Sequence, residues 1–335
     1  MKMGVISFSS QGRALGDRLQ LKLGDLHQVD HHPFDKSQGG AAKLVEELWK
    51  DYRCIVFISA LGIASRLIAP LVKDKTSDPA IICLDDMGRF AIPVLSGHVG
   101  GANDLSREIA AAIGAVPVIT TATDNRGIEA PDLFAKKYGY TVENPENLTA
   151  ITALMVNGEK VGFHSDYGHI IEYEKVVELS GEDIDGCKLS GLIVVTNRTS
   201  LRLPEIPILI MRPSNVNLGI GCRKGVQGEE IISFVEDILK EEALSPLSVA
   251  MIGTVELKRD EPGILMTSRH FNCGIRSFTV QELQKVQHLF IRSDFVNGSI
   301  GVGAVSGPSA YLLGGRMIRE KEIRNGITLS VSVEV

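Results

Sequence analysis

Apolar residues recur along this chain in two rhythms, and their alternation predicts the fold class. Short β-branched runs such as MGVISF (3–8), CIVFIS (54–59), AIICL (80–84) and FAIPVL (90–95) read as strands. Between them lie helical patterns: LVEELW (44–49), and NDLSREIAAAIG (103–114), where Leu105, Ile109 and Ile113 share one face. Asn103 is placed to cap that helix and Gly114 to end it. PVITTATD (117–124) reads as one more strand, and the turn-like DDMGR (85–89) leaves room for one antiparallel pair. The pattern predicts an open, largely parallel α/β sheet over residues 1–139. YGYTVENPENL (138–148) is polar and reads as a linker. Strand candidates KVGFHS, HIIEY, LIVVTN and ILIMR then suggest a small α+β module over 140–214. After the junction RPSNVN, a helix over 228–244, a strand SVAMIGTV and a closing GITLSVSVEV predict a C-terminal α/β domain over 215–335. The whole is a multi-domain α/β chain.

Composition narrows the function classes. With 335 residues and 44% hydrophobic side chains, the chain is long enough for more than one packed core. Net charge is −6 with the signs interspersed, and aromatics make up 5%, so neither a basic stripe nor a stacking platform for bases is expected; nucleic acid is not a predicted partner. No apolar run approaches the roughly 18 residues of a membrane span, and the N-terminus reads as a strand instead of a signal peptide. Five scattered cysteines without a CxxC pair fit a reducing, cytoplasmic setting and no structural metal.

Four segments concentrate small and polar residues: SSQGR (9–13), SALGIASR (59–66), SGHVGGAN (96–103) and TTATD (120–124). All are expected beyond the carboxyl ends of their strands, where an open α/β sheet binds ligands. Gly97, Gly100 and Gly101 precede a helix, so exposed amides and a helix N-terminus would favour an anion there. His98 is the one imidazole of the cluster, either a general base or a loop hydrogen-bonder. Ser96 is a candidate nucleophile but lacks the G-x-S-x-G elbow, and reads rather as a helix-capping or substrate hydrogen-bonding serine. Asp124 would orient a base or a water, or close an Asx-turn. Arg66, Lys73 and Lys75 are candidates for holding carboxylates, or form a solvated loop with Asp74 and Asp78. GIGCRKG (219–225) misses the dinucleotide fingerprint by one residue in its third glycine. HQVDHH (27–32) and HSDYGH (164–169) lack metal-ligand spacing and read as surface loops.

The stretches LGIASRLIAPLVKDKTSDPA, LDDMGRFAIPVLSGHVGGANDLSREIA and PVITTATD resemble the N-terminal signature of the cobalt-precorrin-5A hydrolases of anaerobic cobalamin biosynthesis. LGIGCRKG, FVEDIL and LKRDEPGI resemble that family's C-terminal domain. The resemblance implies a cobalt-carrying tetrapyrrole substrate with a δ-lactone, opened by water with loss of acetaldehyde to give cobalt-precorrin-5B. His98 would be the base and Asp124 a second proton-transfer group, with Ser96 beside them. Arg66, Lys73, Lys75, Gly97, Gly100, Gly101, Asn103, Thr120 and Thr121 would contact substrate, with Gly219, Gly221 and Arg223 of the C-terminal domain near it. The cobalt would come with the substrate, and the protein would supply no cofactor of its own. Contact with neighbouring pathway enzymes, and a homodimer, are compatible with the resemblance. It breaks at Gly307, where relatives carry an acidic residue. A non-catalytic corrinoid carrier and a nucleotide-dependent oxidoreductase built on the Gly219 loop are the alternatives.

Overall fold

A computed structural model describes residues 1–35, 39–74, 77–98, 100–180, 188–291 and 302–334; Lys75 lies outside them. The backbone divides into two units, Met1–Lys136 and Lys137–Val335. Among the described residues no helix is long and apolar enough to cross a membrane.

The first unit begins with β1 (Lys2–Ser7), α1 (Ser10–Leu23), β2 (Gln28–Pro33), α2 (Ala41–Asp51), β3 (Cys54–Ile58), α3 (Leu61–Ile68) and β4 (Ala80–Leu84). It continues with β5 (Phe90–Leu95), α4 (Ala102–Ile113), β6 (Val116–Pro117), α5 (Ala122–Arg126) and α6 (Pro131–Tyr138), the last of which contains the unit boundary. The sheet order is β2-β1-β3-β4-β5-β6. β3 and β4 are buried at every residue because helices cover both faces. α1 and α4 bury Leu15, Leu19, Leu105 and Ile109 against one face. α2 and α3 bury Val45, Leu48, Ala64 and Ile68 against the other.

Strand direction decides where the loops emerge. β1, β2, β3 and β4 run parallel, but β5 is antiparallel to β4, with Leu95 beside Ile81 and Ala91 beside Leu84. The Asp85–Gly88 turn makes this reversal. Gly88 takes φ +67°, and the Asp85 carboxylate accepts the amides of Arg89 (2.7 Å) and Phe90 (2.8 Å). β6 runs parallel to β5. The expected single rim is therefore two rims. The loops after β1 and β3 leave one edge of the sheet, whereas those after β5 and β6 leave the other.

Other local expectations also change. PVITTATD forms only the two-residue β6, and Thr121 then caps the short α5. The helix after the glycines is capped by Gly101 at φ +84°, not by Asn103, although Gly114 ends it in the left-handed conformation as expected. HQVDHH is largely the strand β2, and the His31 side chain is buried between Ser7 Oγ (2.9 Å) and Asp17 (2.8 Å).

In the second unit, β7 (Thr141–Val142), α7 (Leu148–Val156), β8 (Val161–Ser165), β9 (Val176–Glu178), β10 (Gly191–Val195) and β11 (Ile208–Arg212) build a sheet of order β7-β11-β10-β8-β9. Only β7 is antiparallel, so the middle section is more parallel than expected. The polar stretch read as a linker supplies β7, while HIIEY forms no strand. β12 (Val216–Cys222), α8 (Gly228–Glu241), β13 (Val249–Val255), α9 (Pro262–His270), β14 (Gly274–Phe278), α10 (Val280–Val286), α11 (Ser306–Leu313), β15 (Arg316–Arg324) and β16 (Ile327–Val333) follow. They form a sheet of order β14-β13-β12-β16-β15. Gly219 and Gly221 are buried in the middle of β12. A Cβ on Gly219 would lie 1.9 Å from Ser306 O, and one on Gly221 would lie 2.6 Å from Thr328 Oγ1. These glycines admit α11 and β16, so the expectation that they approach a ligand is replaced by close helix–strand packing. Gly307 is similarly constrained, since a Cβ there would meet the Phe290 ring at 2.6 Å.

Candidate functional site

The loop between β5 and α4 is built around its own backbone. Ser96 takes φ +57°, a left-handed conformation uncommon for a residue with a Cβ. Its Oγ donates to Asp78 O (3.1 Å), which ties the loop to the residues just before β4. Gly97 and Gly100 are needed because a Cβ would lie 2.8 Å from Asn103 Oδ1 and 2.4 Å from Ser96 Cβ, respectively. The first helical amides are already occupied: Ala102 N donates to Ser96 O (3.1 Å) and Asn103 N to Gly97 O (3.0 Å). The glycine density thus serves a tight loop that caps its own helix. Among the described residues the Ala102 and Asn103 amides expected to face an anion are taken by the loop's own carbonyls, and the Ser96 hydroxyl donates to a carbonyl.

The loop does project His98 toward the segment after β6. The imidazole is 22% exposed. Its Nε2 lies 3.0 Å from Thr123 Oγ1 and 3.3 Å from Asp124 Oδ2, and its Nδ1 lies 3.8 Å from Asp132 Oδ2. Three elements therefore converge on one ring: the β5–α4 loop, α5 and the first turn of α6. Asp124 receives Arg107 Nη2 on Oδ1 (2.5 Å) and Asn103 Nδ2 on Oδ2 (2.9 Å). Burial alone would raise the Asp124 pKa, but these hydrogen bonds, with the charges of Arg107 and His98, outweigh it and hold the carboxyl below its ordinary value. Asp124 is consequently an ionised acceptor beside the imidazole. Arg107 also pairs with Asp104 (2.8 Å).

Asn103 is only 3% exposed, and its Nδ2 donates to both Thr121 Oγ1 (3.0 Å) and Asp124. It bolts α4 to the α5 turn from inside, and the expected contact with substrate gives way to a positioning role. Thr120 is exposed at the same edge, and Thr121 is spent on Asn103. Lys73 and Arg66 are exposed on and after α3, whose C-terminal end returns to this edge. The chain between them and β4 is held by the Asp78 carboxylate, which accepts the amides of Lys73 (2.8 Å) and Asp74 (3.0 Å). Arg223 is exposed in the second unit, its amide bonded to Gly326 O (3.1 Å).

Three residues of the cluster were not singled out from the sequence: Arg107, Thr123 and Asp132. The i+4 spacing of Asn103 and Arg107 on one helix was the available signal. Nothing local marks Asp132, which reaches the site through the fold. On the opposite edge, Phe8, Ser9, Ser59, Ala60, Ile63 and Asp86 line a separate open cleft of ≈ 440 Å³. SSQGR and SALGIASR border that cleft and take no part in the His98 cluster.

The sequence matches known proteins along most of its length. Residues 43–124 match the family described as Cobalamin synthesis G N-terminal, residues 129–213 the Cobalamin biosynthesis central region, and residues 216–332 the Cobalamin synthesis G C-terminus. A cobalt-precorrin-5A hydrolase of Salmonella typhimurium is 35% identical over 318 residues, spanning 90% of this chain and 87% of that protein. The corresponding enzyme of Priestia megaterium is 35% identical over 309 residues, spanning 88% of this chain and 82% of that protein. Among solved structures, a cobalamin biosynthesis protein G homolog from Sulfolobus solfataricus is similar, with 25% identity, a TM-score of 0.43, and coverage of 100% of this chain and 97% of that one. The chain belongs to the cobalt-precorrin-5A hydrolase family, and it is a hydrolase of cobalamin biosynthesis.

Proposed function

We propose that this hydrolase opens the δ-lactone of cobalt-precorrin-5A and then releases the extruded two-carbon unit as acetaldehyde, leaving cobalt-precorrin-5B. The observation that carries the reading is the ionised Asp124 beside His98 Nε2 in a motif that follows the family pattern. With Nε2–H directed at Asp124 and Thr123, Nδ1 keeps its lone pair and is the basic nitrogen. It removes a proton from water as the oxygen attacks the lactone carbonyl; the ring C–O bond breaks, giving a carboxylate and a hydroxyethyl group, with one proton of the water left on the imidazolium. After the imidazolium passes its proton on, the same nitrogen deprotonates that hydroxyl. The C–C bond to the macrocycle breaks in a retro-aldol sense, its electron pair passing into the conjugated ring, and acetaldehyde leaves. Asp132, close to Nδ1, is the acceptor for the proton between the two steps. Exposed Arg66 and Lys73 hold peripheral carboxylates of the macrocycle, with Lys75 a further candidate, and the cobalt belongs to the substrate.

The test is single-turnover incubation of the lactone substrate with an aldehyde trap. Wild-type protein releases one equivalent of acetaldehyde, and His98→Ala slows release by about 10²–10⁴-fold, the usual contribution of a general base. Release by His98→Ala at the wild-type rate refutes the base assignment. Binding without any aldehyde from the wild type makes the protein a carrier.

A further inference from the structure

The Asp124 carboxylate divides its two oxygens between different partners. Oδ1 accepts Arg107 Nη2 at 2.5 Å, while Oδ2 accepts Asn103 Nδ2 at 2.9 Å and faces His98 Nε2 at 3.3 Å. All four residues belong to the first unit, and Asn103 and Arg107 lie one turn apart on α4. The guanidinium is itself steadied from α4, where Asp104 Oδ1 accepts Nη1 at 2.8 Å. Arg107 therefore grips the oxygen that does not face the imidazole.

Two consequences follow for His98. The terminal torsion of an aspartate is soft, so a carboxylate held on Oδ2 alone is free to swing; the grip on Oδ1 fixes which oxygen meets the ring. The second consequence is electrostatic. The anions that face the imidazole are Asp124 on α5 at 3.3 Å and Asp132 at the start of α6 at 3.8 Å. Both favour the imidazolium, which is useless as a base. Arg107 is charged at every working pH and opposes them by sharing the Asp124 charge, and Asp104 is already paired with it. An ionised carboxylate only accepts, so Nε2 carries the proton whichever way the Thr123 hydroxyl turns.

We propose that Arg107 is a positioning residue for the hydrolytic reaction, acting through Asp124 to keep His98 aligned and available as a free base. The inference rests on the assignment of His98 as the base made above. Arg107 transfers no proton and touches no reacting atom.

The test compares wild type with Arg107→Met, which keeps the length and loses the charge, and Arg107→Lys, which keeps the charge. The position is 45% exposed, and circular dichroism checks that both variants fold. In Arg107→Met the acid limb of the pH–rate profile for acetaldehyde release moves up by about one pH unit, the size expected of a close but partly solvated charge. On the acid side of that limb the rate falls about tenfold, because the fraction of free imidazole falls with it. The alkaline plateau and KM change little, and Arg107→Lys moves the limb by a smaller amount. A purely structural role lowers the rate equally at every pH and leaves the limb in place. A role in holding a substrate carboxylate raises KM at unchanged kcat. Either result overturns the assignment. Nuclear magnetic resonance of the histidine rings gives a reading without substrate. The His98 signal, identified by its loss in His98→Gln, titrates about one unit higher in Arg107→Met, and a midpoint that stays put or falls overturns the proposal. The expected midpoint shift in a wild-type background that releases no acetaldehyde removes the hydrolytic assignment of His98 and leaves its control by Arg107 standing.

Discussion

Replacing Asp124 by Asn tests the acid–base pair without removing side-chain volume. The amide keeps the shape of the carboxyl but loses the charge that faces His98 Nε2 at 3.3 Å and Arg107 at 2.5 Å. Orienting and stabilising an imidazolium is worth up to about 10⁴-fold when the contact is short and buried. Here the His98 contact is longer than the about 2.7–2.9 Å of a strong charge-assisted bond. The expected loss in single-turnover acetaldehyde release is therefore near the lower end, about 10²-fold, equivalent to about 2.7 kcal/mol. The stability cost is smaller. Arg107 is 45% exposed, so its pair with Asp124 is screened and contributes about 1 kcal/mol, not the 3–5 kcal/mol of a fully buried pair. The sign of the pH dependence follows from the lowered carboxyl. Stabilisation is complete above the unfolded value of about 3.9 and disappears as pH falls through the lower folded value. Urea unfolding should thus separate wild type from Asp124→Asn at pH 7, and the two curves should approach one another below about pH 4. A folded Asp124→Asn protein that releases acetaldehyde within threefold of the wild-type rate refutes the pairing.

Further outcomes follow from the same geometry. Gly219→Ala places a methyl 1.9 Å from a backbone oxygen of α11, and urea denaturation should show about 1–3 kcal/mol of destabilisation. Gly62→Ala, in the first turn of α3 with nothing within 4 Å of the added carbon, should instead raise the melting temperature, a gain of about 0.5 kcal/mol. Arg66→Ala should raise KM about tenfold with kcat nearly unchanged, since an exposed carboxylate partner binds ground and transition states alike; a selective loss of kcat would contradict this. Burial pushes the Cys54 thiol up to about 12, so thiol reagents at pH 8 should label it only on unfolding, and prompt labelling of the native protein would be the contrary result.

The hydrophobic rhythm alone determined much of this protein. β1, β3, β4, β5 and α4 lie where the periodicity puts them, because a strand covered on both faces must be apolar throughout and a surface helix must carry a stripe. The family was also legible, since a long motif is a property of the chain and needs no coordinates. His98 and Asp124, chosen for residue type and loop position, do meet. What the pattern did not decide is direction. The turn at Asp85–Gly88 was readable as a possible reversal, yet its effect is nonlocal: by inverting β5 it moves the glycine loop to the edge opposite Ser9 and Ser59. Asp132 and Arg107 enter the cluster by the same route, through helix packing that brings residues far apart in sequence to one imidazole. Strand polarity and helix docking are set by long-range pairing and burial, and these energies are written in contacts between distant residues, not in the spacing of neighbours.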